Sequence, residues 1–244
     1  MFRFWLRFMA IFVLIASLAI PALMIPSSAS AASCEFVLGF KTLHDLIPNV
    51  VGNCTENVHY NPWPDGNGDG LQQTTNGLLV WRRLDNFTAF TDGFHTWING
   101  PYGLQERLNT QLFPWEQEVQ NAVQFVRQQG FEVLSAANYN PPALLHVLTG
   151  FRVPTADAHE QYAFFFTTGG KYLGTDTSET SADLGVAAQT NDTVTISCVL
   201  YKPDDPMCCP TGGTANVRYF YNGTRLTPLD PIPSADWNAP FSRR

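Results

Sequence analysis

The residues best suited to chemistry lie in one short stretch from Tyr201 to Pro210, which holds three prolines, two adjacent acids and two adjacent cysteines. The acids are Asp204 and Asp205, and the cysteines are Cys208 and Cys209. Carboxylates that are neighbours in sequence rarely point at one site, and prolines around them favour a turn. We therefore treat Asp204 and Asp205 as candidate ligand-binding residues and assign them no catalytic role.

The cysteine pair has two possible pairings. Adjacent Cα atoms lie about 3.8 Å apart, which is below the usual disulfide range of about 4.4–6.8 Å. Pro206 and Pro210 restrict the backbone around the pair, so less entropy is lost when the ring closes. This favours a Cys208–Cys209 bridge with Cys198 as a free buried thiol. The alternative joins Cys198 to one of the pair and folds the loop back over its strand. Structural disulfides prevail in secreted domains, so we expect the cysteine pair to stabilise the loop and do not favour a redox role.

A second disulfide is predicted between Cys34 and Cys54. Apolar residues at helical spacing predict a helix over Glu35 to Ile47, stopped by Pro48. A helix of about twelve residues is roughly 18 Å long, and the return segment reaches at most about 23 Å. The sulfurs can therefore meet, and the bridge would contribute about 3 kcal/mol.

An acidic loop suggests calcium. Asp65, Asn67, Asp69 and Gly70 match the first half of a calcium-binding loop, in which oxygen ligands alternate before a glycine. Asn76 stands where a bidentate glutamate should complete the coordination. A surface turn is therefore the favoured interpretation, calcium is the alternative, and no other cofactor is expected.

Four aromatic residues could bind a sugar: Trp63, Trp81, Trp97 and Tyr102. Aromatic rings present flat apolar faces, so a glycan of the cell envelope is a reasonable ligand. Core packing is the favoured interpretation for Trp81 and Trp97, because large aromatic side chains dominate the cores of small domains.

The start of the chain resembles a secretory signal. A basic start, an uncharged run from Phe8 to Ile25 and the small-residue site Ala29-Ser30-Ala31 predict a signal peptide over residues 1–32. The alternatives are a permanent membrane anchor and a weak lipobox that would leave Cys34 lipidated. The expected location is secreted, extracellular or in the cell envelope, with membrane attachment only through the leader or such lipidation.

The negative net charge of the chain argues against two classes of partner, nucleic acid and anionic lipid. The net charge is −7, and removal of Arg3 and Arg7 with the leader would lower it to −9. An acidic chain whose terminal basic run is limited to Arg243-Arg244 is a poor match for nucleic acid or anionic lipid.

The remaining pattern predicts an α+β protein with two modules and no catalytic residues. Residues 33–113 are predicted as a helix and an antiparallel β-meander, closed by a short helix over 104–112. Residues 114–233 are predicted as an antiparallel sheet led by a helix from Pro114 to Gln129, with a type I′ hairpin turn at Asn222-Gly223. Residues 234–244 are predicted as a loose tail.

Two resemblances follow from motifs. The segments Tyr172-Leu-Gly-Thr-Asp176, Asp205-Pro-Met-Cys-Cys-Pro210 and Val217-Arg-Tyr-Phe-Tyr-Asn-Gly223 resemble the LppP/LprE lipoprotein family over about Val119 to Pro233. That resemblance implies a cell-envelope protein without an established enzymatic activity. The run from Gly77 to Asn109 resembles a small accessory module of secreted bacterial, Chloroflexi-like proteins.

The expected function is therefore a non-enzymatic binding or structural role in the envelope, with a glycan or another envelope component as partner. The alternative is a cell-wall glycan hydrolase that uses carboxylates near Asp176. Glu179 and Asp183 are the nearest candidates, but the sequence does not fix their separation from Asp176.

Overall fold

A computed structural model describes residues 34–62, 66–154 and 159–244 of the chain. The predicted leader, and Trp63 and Asp65 among the candidate site residues, lie outside these ranges. None of the helices in the described ranges combines the length and apolar character needed to cross a bilayer. The architecture is α+β, as predicted, with three antiparallel sheets and few helices.

The first sheet is a meander of six strands whose order in space follows their order in sequence. Two short helices precede it. The elements are α1 (Leu38–Leu46), α2 (Pro48–Val51), β1 (His59–Tyr60), β2 (Gly70–Gln73), β3 (Leu78–Trp81), β4 (Thr88–Thr91), β5 (His95–Gly100) and β6 (Gly103–Leu108).

Helix α1 packs on one face of this sheet through the side chains that its sequence spacing predicted. Phe40 and Leu43 are buried against Leu79 of β3 and Phe90 of β4. Gly39 permits this close approach, because a Cβ atom there would lie 2.2 Å from Thr88 Oγ1. The helix is shorter than predicted, and α2 begins directly after it with Pro48 at its N-terminal position. Proline is well tolerated there because the first N–H groups of a helix have no intrahelical partner.

The helix predicted over residues 104–112 is wrong. Residues Gly103–Leu108 form β6, which pairs with β5 from Gly100↔Gly103 to His95↔Leu108. The leucines at 104, 108 and 112 have helical spacing, but Leu104 and Leu108 also share one face of a strand. Hydrogen bonding to the neighbouring strand, which local spacing does not encode, decides between the two structures.

The C-terminal half has one helix and two sheets of four strands. The elements are α3 (Pro114–Gln128), β7 (Phe131–Ser135), β8 (Leu145–Arg152), β9 (Gln161–Thr167), β10 (Tyr172–Thr175), β11 (Leu184–Gln189), β12 (Thr193–Val199), β13 (Thr214–Tyr221) and β14 (Leu226–Pro228). The second sheet has the order β10-β9-β8-β7, and the third has the order β11-β12-β13-β14. Helix α3 begins and ends within a residue of its predicted bounds.

The second sheet lies between α3 and the third sheet. Phe164 and Phe166 of β9 pack in the core under α3. Phe165, between them in sequence, packs in the opposite core with Ile196 of β12 and Val217 of β13. Alternate residues of a strand point to opposite faces, so a strand buried on both faces is apolar throughout.

Two predictions for the end of the chain are wrong. The β13–β14 hairpin exists, but Tyr221 pairs with Leu226, so the loop is longer than a two-residue type I′ turn. Of Asn222 and Gly223, only Gly223 has a positive φ, whereas a type I′ turn needs both. The tail is not loose throughout, because Arg243 is 4% exposed. Its guanidinium donates to the carbonyl oxygens of residues 179, 180 and 233 and to the hydroxyl of residue 181.

The N-terminal end of α3 packs on the face of the first sheet opposite α1. Trp115 lies in a small core with Ala89 of β4 and Ile98 of β5. Its indole Nε1 donates to Gln105 Oε1 of β6 at 3.0 Å. Residues Cys34–Arg244 form one compact unit, and the boundary predicted at residue 113 remains a prediction.

A buried ion pair joins α3 to the same sheet. Glu116 is 3% exposed, and its carboxylate accepts from Arg82 Nη1 at 2.8 Å and from Arg107 Nε at 2.7 Å. The Phe113 N–H donates to it at 3.2 Å, and Arg82 also pairs with Asp85. Burial raises the pKa of Glu116, but the hydrogen bonds from Arg107 and Arg82 more than offset this and leave the pKa below its ordinary value.

Candidate functional site

An apolar groove of about 450 Å³ lies where α1 meets the open end of the first sheet. Its lining residues come from the start of α1, from β1 and the segment before it, from the first residues of β2 and β4, from the end of β3 and from the β3–β4 turn. They are Val37, Leu38, Gly39, Phe40, Val58, Tyr60, Gly70, Trp81, Asn86 and Thr88. The volume lies within the usual range for a small-molecule site.

The aromatic pair in this groove is held in a fixed arrangement. The rings of Tyr60 and Trp81 meet edge to face, with centroids 6.3 Å apart and an interplanar angle of 84°. The Trp81 Nε1 donates to Asn86 Oδ1 at 2.7 Å. Asn86 has a φ of 60°, a conformation that asparagine adopts more readily than most residues. The β3–β4 turn therefore both closes the hairpin and orients the indole.

The groove can hold an uncharged ligand. None of its lining residues carries a charge, so a charged ligand would lose hydration without gaining a partner. Tyr60 is 60% exposed and Leu38 is 86% exposed at the mouth. The polar groups available are the hydroxyls of Tyr60 and Thr88 and the side-chain amide of Asn86.

Of the aromatic residues predicted to bind a ligand, Trp81 lines the groove, and Trp97 and Tyr102 are not among its lining residues. Trp97 is partly buried, packs against Phe90 at 5.7 Å and donates to Glu106 Oε2 at 3.0 Å. Tyr102 lies 55% exposed in the β5–β6 turn.

Sequence reasoning missed Tyr60, Asn86 and Leu38. The Asp85-Asn86 pair is typical of a turn, but nothing in the local sequence indicates that Asn86 would orient Trp81.

The acidic loop between β1 and β2 uses its oxygen atoms within the fold. Asn67 Oδ1 accepts from the Asn61 side chain at 2.9 Å, and Asp69 Oδ1 accepts from the Arg83 N–H at 2.8 Å. The amide of Asn67 donates to Asp69 Oδ2 at 2.6 Å. Among the described residues, no three His, Cys, Asp or Glu side chains are grouped so that they could hold a metal ion. Calcium in this loop remains a prediction, and its first ligand, Asp65, lies outside the described ranges.

The Cys34–Cys54 disulfide is confirmed. Its S–S distance is 1.96 Å, and the two Cα atoms are 6.0 Å apart. In the same structure Cys208 is bonded to Cys209, and Cys198 is free and buried in β12. Burial raises the pKa of the Cys198 thiol to about 11, which makes it a poor nucleophile.

Asp205 holds the two ends of the loop that carries the cysteine pair. Its carboxylate accepts from the Lys202 N–H at 2.8 Å, from the Thr211 N–H at 2.7 Å and from the Thr211 hydroxyl at 2.8 Å. These hydrogen bonds lower the pKa of Asp205. The backbone N–H groups of Lys202 and Thr211 have the largest effect. Asp204 is exposed. The sequence predicted a turn at Asp204-Asp205, and in the structure the Asp205 carboxylate accepts the hydrogen bonds that hold this turn.

Asp176, the residue at the centre of the hydrolase alternative, is 5% exposed. Its Oδ1 accepts from the Ala163 N–H at 2.9 Å, and the Tyr219 hydroxyl donates to its backbone carbonyl at 3.0 Å. Burial raises the pKa of Asp176 to about 6. Glu179 and Asp183 are exposed, so the three acids do not share one environment.

The comparisons with known proteins concern the C-terminal half of the chain. Residues 137–224 match the family model described as LppP/LprE lipoprotein. No curated protein and no solved structure matches the chain. The matched range runs from the segment before β8 to the β13–β14 loop, and it includes the Cys208–Cys209 pair. The resemblance predicted for the N-terminal module lies outside this match. Residues 137–224 are therefore similar to the LppP/LprE lipoprotein family, as their motifs predicted.

Proposed function

We propose that this chain is an exported, envelope-associated binding protein without enzymatic activity, and that it holds a neutral sugar in the groove lined by Tyr60 and Trp81. The match to a lipoprotein family supports the envelope location. The oriented aromatic pair in an uncharged groove is the observation that carries the proposed binding role.

A neutral sugar suits the groove for two reasons. A pyranose ring has one face of C–H groups that packs on an aromatic ring, and hydroxyls at its rim that bond to side-chain amides and hydroxyls. The groove supplies both, because Trp81 is fixed by Asn86 and flanked by Tyr60 and Thr88. Aromatic side chains with two χ angles lose little conformational entropy when they are already held in place.

The hydrolase alternative has less support. Both inverting and retaining glycosidases need two carboxyl groups beside the scissile bond. Asp176 is buried and its carboxylate accepts a hydrogen bond from the Ala163 N–H, whereas Glu179 lies on the surface.

The experiment is a calorimetric titration of the purified chain with neutral oligosaccharides of glucose, mannose and N-acetylglucosamine. We expect at least one to bind, and Trp81→Ala to weaken that binding by tenfold or more, since central aromatic anchors are worth about 2 kcal/mol or more. Tyr102→Ala is the matched control, because it removes an exposed aromatic side chain outside the groove.

Two results would contradict the proposal. One is the absence of binding to every neutral oligosaccharide. The other is equal loss of binding in the Trp81→Ala and Tyr102→Ala variants. Chromatography of the sugar after incubation tests the non-enzymatic part, because shortened products would indicate a hydrolase.

A further inference from the structure

The loop that carries Cys208 and Cys209 is exposed yet well braced. Both cysteines are exposed, as are Pro206 and Pro210 on either side. A reductant in solution can therefore reach either sulfur without any opening of the fold.

The bracing does not depend on the disulfide. The Asp205 carboxylate bonds to Lys202 on one side of the pair and to Thr211 on the other. Beneath the loop, the buried Tyr201 donates its hydroxyl proton to the Met207 carbonyl oxygen at 2.9 Å. The Cys209 N–H donates to the Pro206 carbonyl oxygen at 2.9 Å. The bonds from Asp205 and Tyr201 hold the two ends of the loop and the Met207 carbonyl, so the loop can stay in place after the sulfur–sulfur bond is broken. The Cys209 N–H bond lies within the segment that the ring closes, so it is the one that reduction can loosen.

The other disulfide is placed differently. Cys34 and Cys54 are separated by 20 residues, and the chain between them forms α1 and α2, which pack on the first sheet. That bridge restrains a long segment of the unfolded chain, whereas a bridge between neighbours restrains almost none. The fold therefore favours closure of Cys34–Cys54 much more strongly than closure of Cys208–Cys209.

We propose that Cys208–Cys209 is a thiol–disulfide exchange site that accepts two electrons from a dithiol while the rest of the fold stays intact. A thiolate of the dithiol attacks one of the two sulfurs, the Cys208–Cys209 bond breaks, and a mixed disulfide forms. The second thiol of the dithiol then displaces the protein sulfur and closes its own disulfide. The protein gains two electrons and two protons, and the dithiol loses the same number.

The change would be local. Met207 comes directly before the pair and lines a cleft of about 200 Å³ with Ser181 and Trp237. Release of the short ring gives the backbone at Cys208 and Cys209 more freedom, while Tyr201 still holds the Met207 carbonyl oxygen. The segment directly beside this cleft is therefore the part of the molecule that responds to the redox state.

The test uses dithiothreitol as the dithiol and the native, oxidised chain. Samples equilibrated at increasing dithiothreitol are alkylated without denaturant, and mass spectrometry identifies the modified cysteines. We expect Cys208 and Cys209 to be alkylated at a dithiol concentration at least tenfold below the one that opens Cys34–Cys54. The buried Cys198 should stay unmodified throughout that interval.

Hydrogen exchange gives a second readout. After reduction, the amide of Cys209 should exchange faster, and the amide of Thr211, held by Asp205, should not change. The double variant Cys208→Ser/Cys209→Ser imitates the reduced state without a reductant, and its melting temperature should lie within about 3 °C of the native value.

Three outcomes would overturn the proposal. In the first, Cys34–Cys54 opens at the same or a lower dithiol concentration. In the second, Cys198 is alkylated together with the pair, which would show that reduction requires unfolding. In the third, the oxidised protein contains a bond from Cys198 to Cys208 or Cys209.

Discussion

Replacement of Glu116 by glutamine tests whether the buried ion pair stabilises the contact between α3 and the first sheet. The change keeps the shape of the side chain and removes its charge. Arg82 and Arg107 then lose the carboxylate that now lies 2.8 and 2.7 Å from their donor atoms. The glutamine amide can replace only part of these hydrogen bonds, because half of its polar atoms are donors.

The magnitude follows from burial. Removing one partner of a fully buried ion pair costs about 3–5 kcal/mol. Here the Arg82 side chain is 27% exposed and keeps Asp85 as a partner, while the Arg107 side chain is 13% exposed. Partial hydration of the arginines lowers the expected cost to about 2–3 kcal/mol. For a domain of this size that corresponds to a fall in melting temperature of roughly 5–10 °C.

Urea unfolding at pH 7 measures the cost, with Glu132→Gln as the matched control. Glu132 pairs with Arg127 on the surface, where the side chains are 38% and 48% exposed, and such pairs contribute about 1 kcal/mol or less. The pKa of Glu116 is lowered in the folded state, so its contribution is present above the ordinary pKa of 4.5 and is lost as pH falls below it. The difference between the native chain and Glu116→Gln should therefore shrink in acid. Equal destabilisation by the two variants at pH 7 would refute the reasoning.

Three further predictions concern other parts of the structure. Cys34→Ser and Cys54→Ser should each lower the free energy of unfolding by about 3 kcal/mol. The double variant should cost no more, because each substitution removes the same disulfide. Additive costs in urea unfolding would contradict this. Burial raises the pKa of Asp176 to about 6 from 3.8, so the folded state binds the proton more tightly and stability should fall by about 2–3 kcal/mol as pH rises from 4 to 6. Asp176→Asn should abolish that fall in unfolding measured across pH, and an unchanged profile would refute it. Arg243→Ala leaves buried carbonyl oxygens without donors and should cost about 2–3 kcal/mol in the same assay; Arg244→Ala, which removes a long, exposed ion pair, should cost below about 1 kcal/mol.

Elements with strong local signals could be predicted closely from the sequence. Helix α3 has Pro114 at its first turn and Gly130 just beyond its C-terminal end, and its bounds were predicted to within one residue. The antiparallel sheet after this helix was also predicted, and its β9–β10 hairpin turns at Gly169-Gly170, a pair that favours turns. In each case the decisive information lies within a few residues, where propensity and turn chemistry act.

The candidate site was predicted only in part. Trp81 was a candidate among four aromatic residues, but its partners Tyr60 and Asn86 were not. Tyr60 of β1 and Trp81 of β3 both lie opposite Gly70 of β2, so the pairing of these three strands brings the two rings together. No local pattern in the sequence carries that register.

The sequence by itself determined the α+β class, the likeness of the C-terminal half to the LppP/LprE family and the Cys34–Cys54 disulfide. These depend on residue type and spacing along the chain. Tertiary structure alone decided that residues 103–108 form a strand, that Glu116 joins α3 to the first sheet, that Arg243 is buried and that an uncharged groove surrounds Trp81. The physical reason is that burial and hydrogen-bond partners are set by residues far apart in sequence, and their energies outweigh the weak preferences of a short segment.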